Sequence, residues 1–117
     1  MADLILYHNP RCSKSREALK LLQDNGQDFS TFLYLNEDLN HVDLASLLDR
    51  LGISARELLR KNEDDYKSNN LMNIELGNAE LIEFMIQFPK IIERPILDNG
   101  MKAVIGRPPE KILDLLV

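Results

Sequence analysis

Apolar positions along this chain change period from block to block, and each change marks an element. Leu4–Tyr7 is a short run of Leu, Ile, Leu and Tyr ended by Asn9-Pro10, which predicts a buried strand entering a loop. From Ser13 onward Ala18, Leu19, Leu21 and Leu22 recur at helical spacing among Lys, Arg and Glu. They predict a helix that Asn25-Gly26 stops. Residues 29–35 alternate as a second strand. A strand, a helix and a strand in so short a span form a βαβ unit, with parallel pairing through a right-handed crossover.

The middle of the chain reads as helical. Leu39, Val42, Leu44, Leu47, Leu48 and Leu51 share one face and stop at Gly52. Ser54-Ala55-Arg56-Glu57 has the form of a capping box and predicts a short helix through Arg60. Residues 61–70 are polar and predict an irregular or short helical stretch. Asn78 is placed to cap a helix bearing Leu81, Ile82, Phe84, Met85 and Phe88, which Pro89 ends.

The end returns to strands. Residues 96–98 and 102–105 flank Asn99-Gly100, a hairpin signal because both residues tolerate positive φ. Gly106-Arg107-Pro108-Pro109-Glu110 then predicts a last helix that buries Ile112, Leu113, Leu115 and Leu116. The order βαβ, helical insertion, ββα is that of an α/β thioredoxin-like fold with a small mixed sheet. One domain is expected over residues 1–117, with the helical insertion at about 38–90.

Composition narrows the function classes. A chain of 117 residues with 44% hydrophobic and 28% charged content can bury a core without disulfide or metal staples. The formal net charge of -5 argues against a nucleic-acid-coating surface. The first six residues hold no basic region and only a short apolar run, so no signal peptide and no membrane span are expected. One cysteine excludes an internal disulfide. His8 and His41 are too few and too far apart for a metal site, so no metal is expected. A reducing cytoplasm is the expected setting.

That one cysteine, Cys12, lies in Tyr7-His8-Asn9-Pro10-Arg11-Cys12-Ser13-Lys14-Ser15-Arg16, between the first strand and the first helix. A thiol is a useful nucleophile only as its thiolate, which a helix N-terminus and nearby cations favour. With a pKa of about 8.5 a thiol is only about 3% ionised at pH 7; at about 6.5 it is about 75% ionised. A lone cysteine is often just a small apolar core residue. The polar and cationic flanks of Cys12 favour a reactive thiol instead.

The segment 8–16, together with Glu93-Arg94-Pro95-Ile96 and Ile105-Gly106-Arg107-Pro108-Pro109-Glu110, resembles the signature stretches of the glutaredoxin-dependent arsenate reductases, the ArsC family of bacteria. Three stretches in register cover nearly the whole chain. The resemblance implies that Cys12 is the nucleophile that attacks arsenic, and that Arg60, Arg94 and Arg107 hold the oxyanion and stabilise the thiolate. It implies that His8 supports the thiolate and that the Arg94-Pro95 bond is cis. Arg56 lies one turn before Arg60 and competes for that role. No bound cofactor is implied; glutathione is the co-substrate, and arsenate or a similar oxyanion, glutathione and glutaredoxin are the partners of an expected monomer.

Elementary chemistry agrees with that assignment. Arsenate is a compact tetrahedral anion, and guanidinium forks donate paired hydrogen bonds to such an anion without ever deprotonating. A solvated surface charge is the default for most of the seven arginines. Arg94 and Arg107, beside prolines at a strand start and a helix start, are favoured as functional, whereas Arg60 is open between the two. Arg11 and Arg16 either tune the thiol or are simply solvated. His8 is open between thiolate support and satisfying a backbone group. Ser15, at the place of the second cysteine in Cys-x-x-Cys, either donates to the Cys12 sulfur or is an ordinary first-turn residue. With no second cysteine, electrons from an external thiol must resolve any Cys12 adduct. The Cys-x5-Arg loop of phosphatase-like arsenate reductases is absent, since position 18 is Ala. A monothiol oxidoreductase acting on glutathione mixed disulfides, and a regulatory binding protein like the Spx family, are the competing readings. The arginine set argues against the first and Ser15 against the second.

Overall fold

The computed structural model describes residues 4–35 and 39–116. Residues 1–3, part of the stretch read against a signal peptide, lie outside that range. The chain divides into two compact units, residues 1–37 with 94–117 and residues 38–93.

The first unit is built on a four-stranded sheet. Its strands are β1 (Leu4–Tyr7), β2 (Phe29–Phe32), β3 (Ile96–Asp98) and β4 (Ala103–Ile105), in the order β2-β1-β3-β4. β1 pairs in parallel with β2 and antiparallel with β3, and β3 pairs antiparallel with β4. This mixed sheet is the thioredoxin-like arrangement that the element order predicts. Helix α1 (Ser13–Asp24) and a terminal 3₁₀ segment (Pro109–Leu116) pack on it. Leu6, Leu97, Ala18, Leu22 and Ile112 are fully buried together, so the core is made where strand alternation meets the helical apolar stripe.

Three expectations change here. β2 ends at Phe32 rather than residue 35, because its parallel partner leaves the sheet after Tyr7; His8 N–H to the Phe32 carbonyl (3.0 Å) is the last rung. The last helix is 3₁₀: two prolines at its start deny it backbone donors, and its first turn closes from Lys111 N–H to the Pro108 carbonyl at 3.0 Å. The second hairpin strand starts at Ala103, after a four-residue turn closed by Asn99 N–H to the Lys102 carbonyl at 3.0 Å.

The second unit contains α2 (His41–Leu51), α3 (Asp64–Ser68) and α4 (Asn78–Gln87). Asn40 caps α2 by accepting from Asp43 N–H at 2.8 Å, and the helix stops at Gly52 as predicted. The Ser54–Glu57 capping box forms, with Glu57 Oε1 accepting from Ser54 N–H at 3.3 Å. It opens only a 3₁₀ turn, Arg56–Leu58, because Leu59 turns extended to pair with Ile92. Asn78 is not the cap of α4. Gly77 holds that position, Glu80 Oε1 accepts its N–H at 3.1 Å, and Asn78 Oδ1 instead accepts from Ala55 N–H at 3.2 Å.

Candidate active site around Cys12

The loop that carries Cys12 is pinned by its own neighbours. The Asn9 side chain accepts from Arg11 N–H at 3.0 Å, and the Asn9 carbonyl accepts from Cys12 N–H at 2.9 Å. Buried Ser15, one turn into α1, accepts from Asn9 N–H at 3.2 Å. The Arg16 guanidinium donates to the Pro10 carbonyl at 3.0 Å. Cys12 then takes the N-cap position of α1 in extended conformation, as a free, partly exposed thiol.

The thiol pKa is the outcome of opposed effects. Burial pushes it up. Against that, the Ser15 N–H, a hydrogen bond from Arg94, the Lys14 N–H and the positive charge of Arg94 pull it down, and the net result lies below the ordinary thiol value. The sulfur closes no cap hydrogen bond of regular geometry, so the two helix N–H groups act through their partial charges. Arg107 Nη2 lies 3.8 Å from Sγ, a long contact that leaves Arg94 as the principal cation at the thiol.

Both arginines are set by the hairpin of β3 and β4. Arg94 precedes β3 and Arg107 follows β4, and Arg107 Nε donates to the Arg94 carbonyl at 2.8 Å. The Gly106 N–H donates to the Pro95 carbonyl at 2.8 Å, which brings the two arginine-proline segments side by side. Gly106 is required there by space. A Cβ on it would meet Pro95 Cγ at 2.9 Å and Ile112 Cγ2 at 3.0 Å. The Arg94-Pro95 bond is cis as expected; the Arg107-Pro108 bond is also cis, which no sequence reading anticipated.

Ser15 and His8 do other work than a direct bond to sulfur. The Ser15 hydroxyl is the acceptor for Asn9, and the residue reaches the thiol through its backbone N–H. His8 is buried, and both burial and the nearby Arg16 cation lower its pKa, which favours the neutral imidazole. Its Nδ1 is buried without a hydrogen-bond partner among the described residues. A neutral imidazole supplies no positive charge to a thiolate.

Arg60 belongs to the second unit, where Nη1 lies 3.3 Å from Glu93 Oε1 and Nε 3.5 Å from Glu63 Oε2. The Nε contact is an ion pair without hydrogen-bond geometry. Its backbone N–H donates to the Ile91 carbonyl at 2.7 Å. Arg56 is committed elsewhere: its two terminal nitrogens donate to the carbonyls of Leu71 and Asn73, both at 2.8 Å, so it clamps a loop. Sequence reasoning missed Gly106 and the acidic partners Glu63 and Glu93. The glycine directly before Arg107 was the available signal for the first. Among the described residues there is no group of three metal-ligating side chains and no helix long and apolar enough to cross a membrane.

Comparison with known proteins follows the same outline. The ArsC family model matches residues 7–115. The chain is 49% identical to the uncharacterised YfgD protein of Escherichia coli strain K12, over 95% of this chain and 94% of that one. It is 46% identical to an arsenate reductase of Haemophilus influenzae, covering 97% of this chain and 99% of the relative. The solved structure of an arsenate reductase from Vibrio cholerae superposes with a TM-score of 0.93 at 38% identity, covering 97% of each chain.

Proposed function

As this chain belongs to the ArsC family, we propose that it reduces arsenate to arsenite through the Cys12 thiolate. The observation that carries the reading is a thiol of lowered pKa at a helix start with the Arg94 and Arg107 guanidinium groups beside it. Cys12 attacks arsenic, an oxygen leaves as water, and Arg94 and Arg107 hold the remaining oxygens. Two external thiols then supply two electrons: arsenic passes from As(V) to As(III), the thiols become one disulfide, and Cys12 is freed.

Glutathione and glutaredoxin are the proposed electron source, because this sequence holds no second cysteine to resolve the adduct. Arg60 is proposed as a third oxyanion ligand on the family resemblance. Ser15 supports the thiolate through its N–H, and His8 is assigned a supporting role on the family resemblance. The enzyme acts as a monomer in the cytoplasm, with no bound cofactor.

The test is arsenate-dependent NADPH oxidation in the presence of glutathione, glutaredoxin and glutathione reductase. The wild type should turn over only with glutathione present, and Cys12→Ser should not. A folded wild type with a free Cys12 thiol and no rate above background refutes the arsenate reading.

A further inference from the structure

The surface around Cys12 carries a charge opposite to that of the rest of the protein. Residues 11–17 hold three cations, Arg11, Lys14 and Arg16, against the single carboxylate of Glu17, in a chain of formal net charge -5. All three cationic residues are exposed. Arg16 is tethered across the loop by its bond to the Pro10 carbonyl, and its charge is felt at buried His8. Lys14 reaches Glu17 only at 3.8 Å, with both side chains about half exposed. Arg11, adjacent to the nucleophile, makes no side-chain bond among the described residues. Arg16 helps to pin the loop, whereas no side-chain hydrogen bond from Arg11 or Lys14 holds it, and the thiol is lowered by backbone N–H groups and Arg94.

We propose that Arg11, Lys14 and Arg16 form a cationic rim that selects a carboxylate-bearing small thiol as the molecule that resolves Cys12. The proposal rests on the reading of Cys12 as a nucleophile whose adduct an external thiol must open. Arg11 adjoins Cys12, and Lys14 and Arg16 are exposed in the first turn of the helix that Cys12 caps, so their charges act on a thiol that comes to Cys12. The exposed guanidinium and ammonium groups there, three cations against one carboxylate, raise the local concentration of anionic thiols and disfavour cationic ones. The anion site formed by Arg94 and Arg107 is separate in sequence and is left for the oxyanion. The rim therefore divides recognition between two anions, an oxyanion against the hairpin arginines and a thiol carboxylate against the α1 loop.

Thiol-disulfide exchange tests the rim without arsenate. The Cys12 thiolate attacks one sulfur of a small disulfide, a mixed disulfide forms, and one thiolate leaves. Rates are compared for oxidised glutathione (anionic), 2-hydroxyethyl disulfide (neutral) and cystamine (cationic), with wild type and with Arg11→Glu/Lys14→Glu. Using rate ratios cancels any change in the Cys12 pKa. The charge reversals should lower the ratio of the anionic to the neutral reagent by roughly threefold to tenfold and raise that of the cationic one, and high salt should shrink both effects. Ratios unchanged by the reversals, or a Cys12 that exchanges with none of the three, overturn the rim. Loss of arsenate turnover with the anionic preference intact overturns only the arsenate reading.

Discussion

Replacing Gly106 by alanine probes how the two arginine segments are held together. The added Cβ would lie 2.9 Å from Pro95 Cγ and 3.0 Å from Ile112 Cγ2, whereas ordinary carbon contacts are about 3.5–4.0 Å. Both neighbours would have to retreat by half an ångström or more. Neither is the loose end of a flexible chain: Pro95 is a buried ring and Ile112 is a fully buried, β-branched residue. Overpacking of this kind costs about 1–3 kcal/mol. Alanine also restricts the unfolded chain, which returns about 0.4–1 kcal/mol. The net loss should be about 1–2 kcal/mol, a Tm drop of roughly 3–10 °C for a chain of this size.

Urea unfolding measures that loss, and Gly77→Ala is the matched control, since its new Cβ would have only Glu80 Oε1 at 3.9 Å as a neighbour. Because Gly106 joins Pro95 beside Arg94, the alkylation midpoint of Cys12 should also rise in Gly106→Ala. A variant that unfolds within about 0.5 kcal/mol of wild type, with an unmoved alkylation midpoint, refutes the close-packing argument.

Other outcomes follow from the same contacts. Ser15→Ala removes the acceptor for the buried Asn9 N–H and should cost about 1–3 kcal/mol in urea unfolding. His8 has a folded pKa below its unfolded one, so the unfolded chain binds more protons between the two values. Stability should therefore rise with pH across that window, be flat above about 6.5, and lose this slope in His8→Gln, read by denaturation at several pH values. Arg56→Gln should destabilise the protein through the freed Leu71 and Asn73 carbonyls yet leave the Cys12 alkylation midpoint in place. A shifted midpoint would place Arg56 at the thiol.

The strands, the first helix and the cysteine loop were legible in the sequence because their signals are local. Alternation, an apolar stripe and Asn9-Pro10 each act within a few residues. The hairpin at Asn99-Gly100 and the helix stop at Gly52 are of the same kind. What escaped depends on partners distant in sequence. Leu59 is drawn from helix into an extended pair by Ile92, and Asn78 is drawn from its cap position by Ala55. Arg56 is taken up by carbonyls fifteen and seventeen residues away. At the site, the residue types were readable, but the division of labour was not. Ser15 acts on the thiol through its N–H while its hydroxyl accepts from Asn9 N–H, and burial beside Arg16 lowers the His8 pKa.

Arg94 and the start of α1 together lower the pKa of the Cys12 thiol. The rate of Cys12 alkylation by iodoacetamide against pH tests it, in wild type and in Arg94→Gln. The wild-type midpoint should lie below the ordinary thiol value and the variant's midpoint should be higher. A wild-type midpoint at or above the ordinary thiol value, or one that Arg94→Gln does not move, contradicts that lowering.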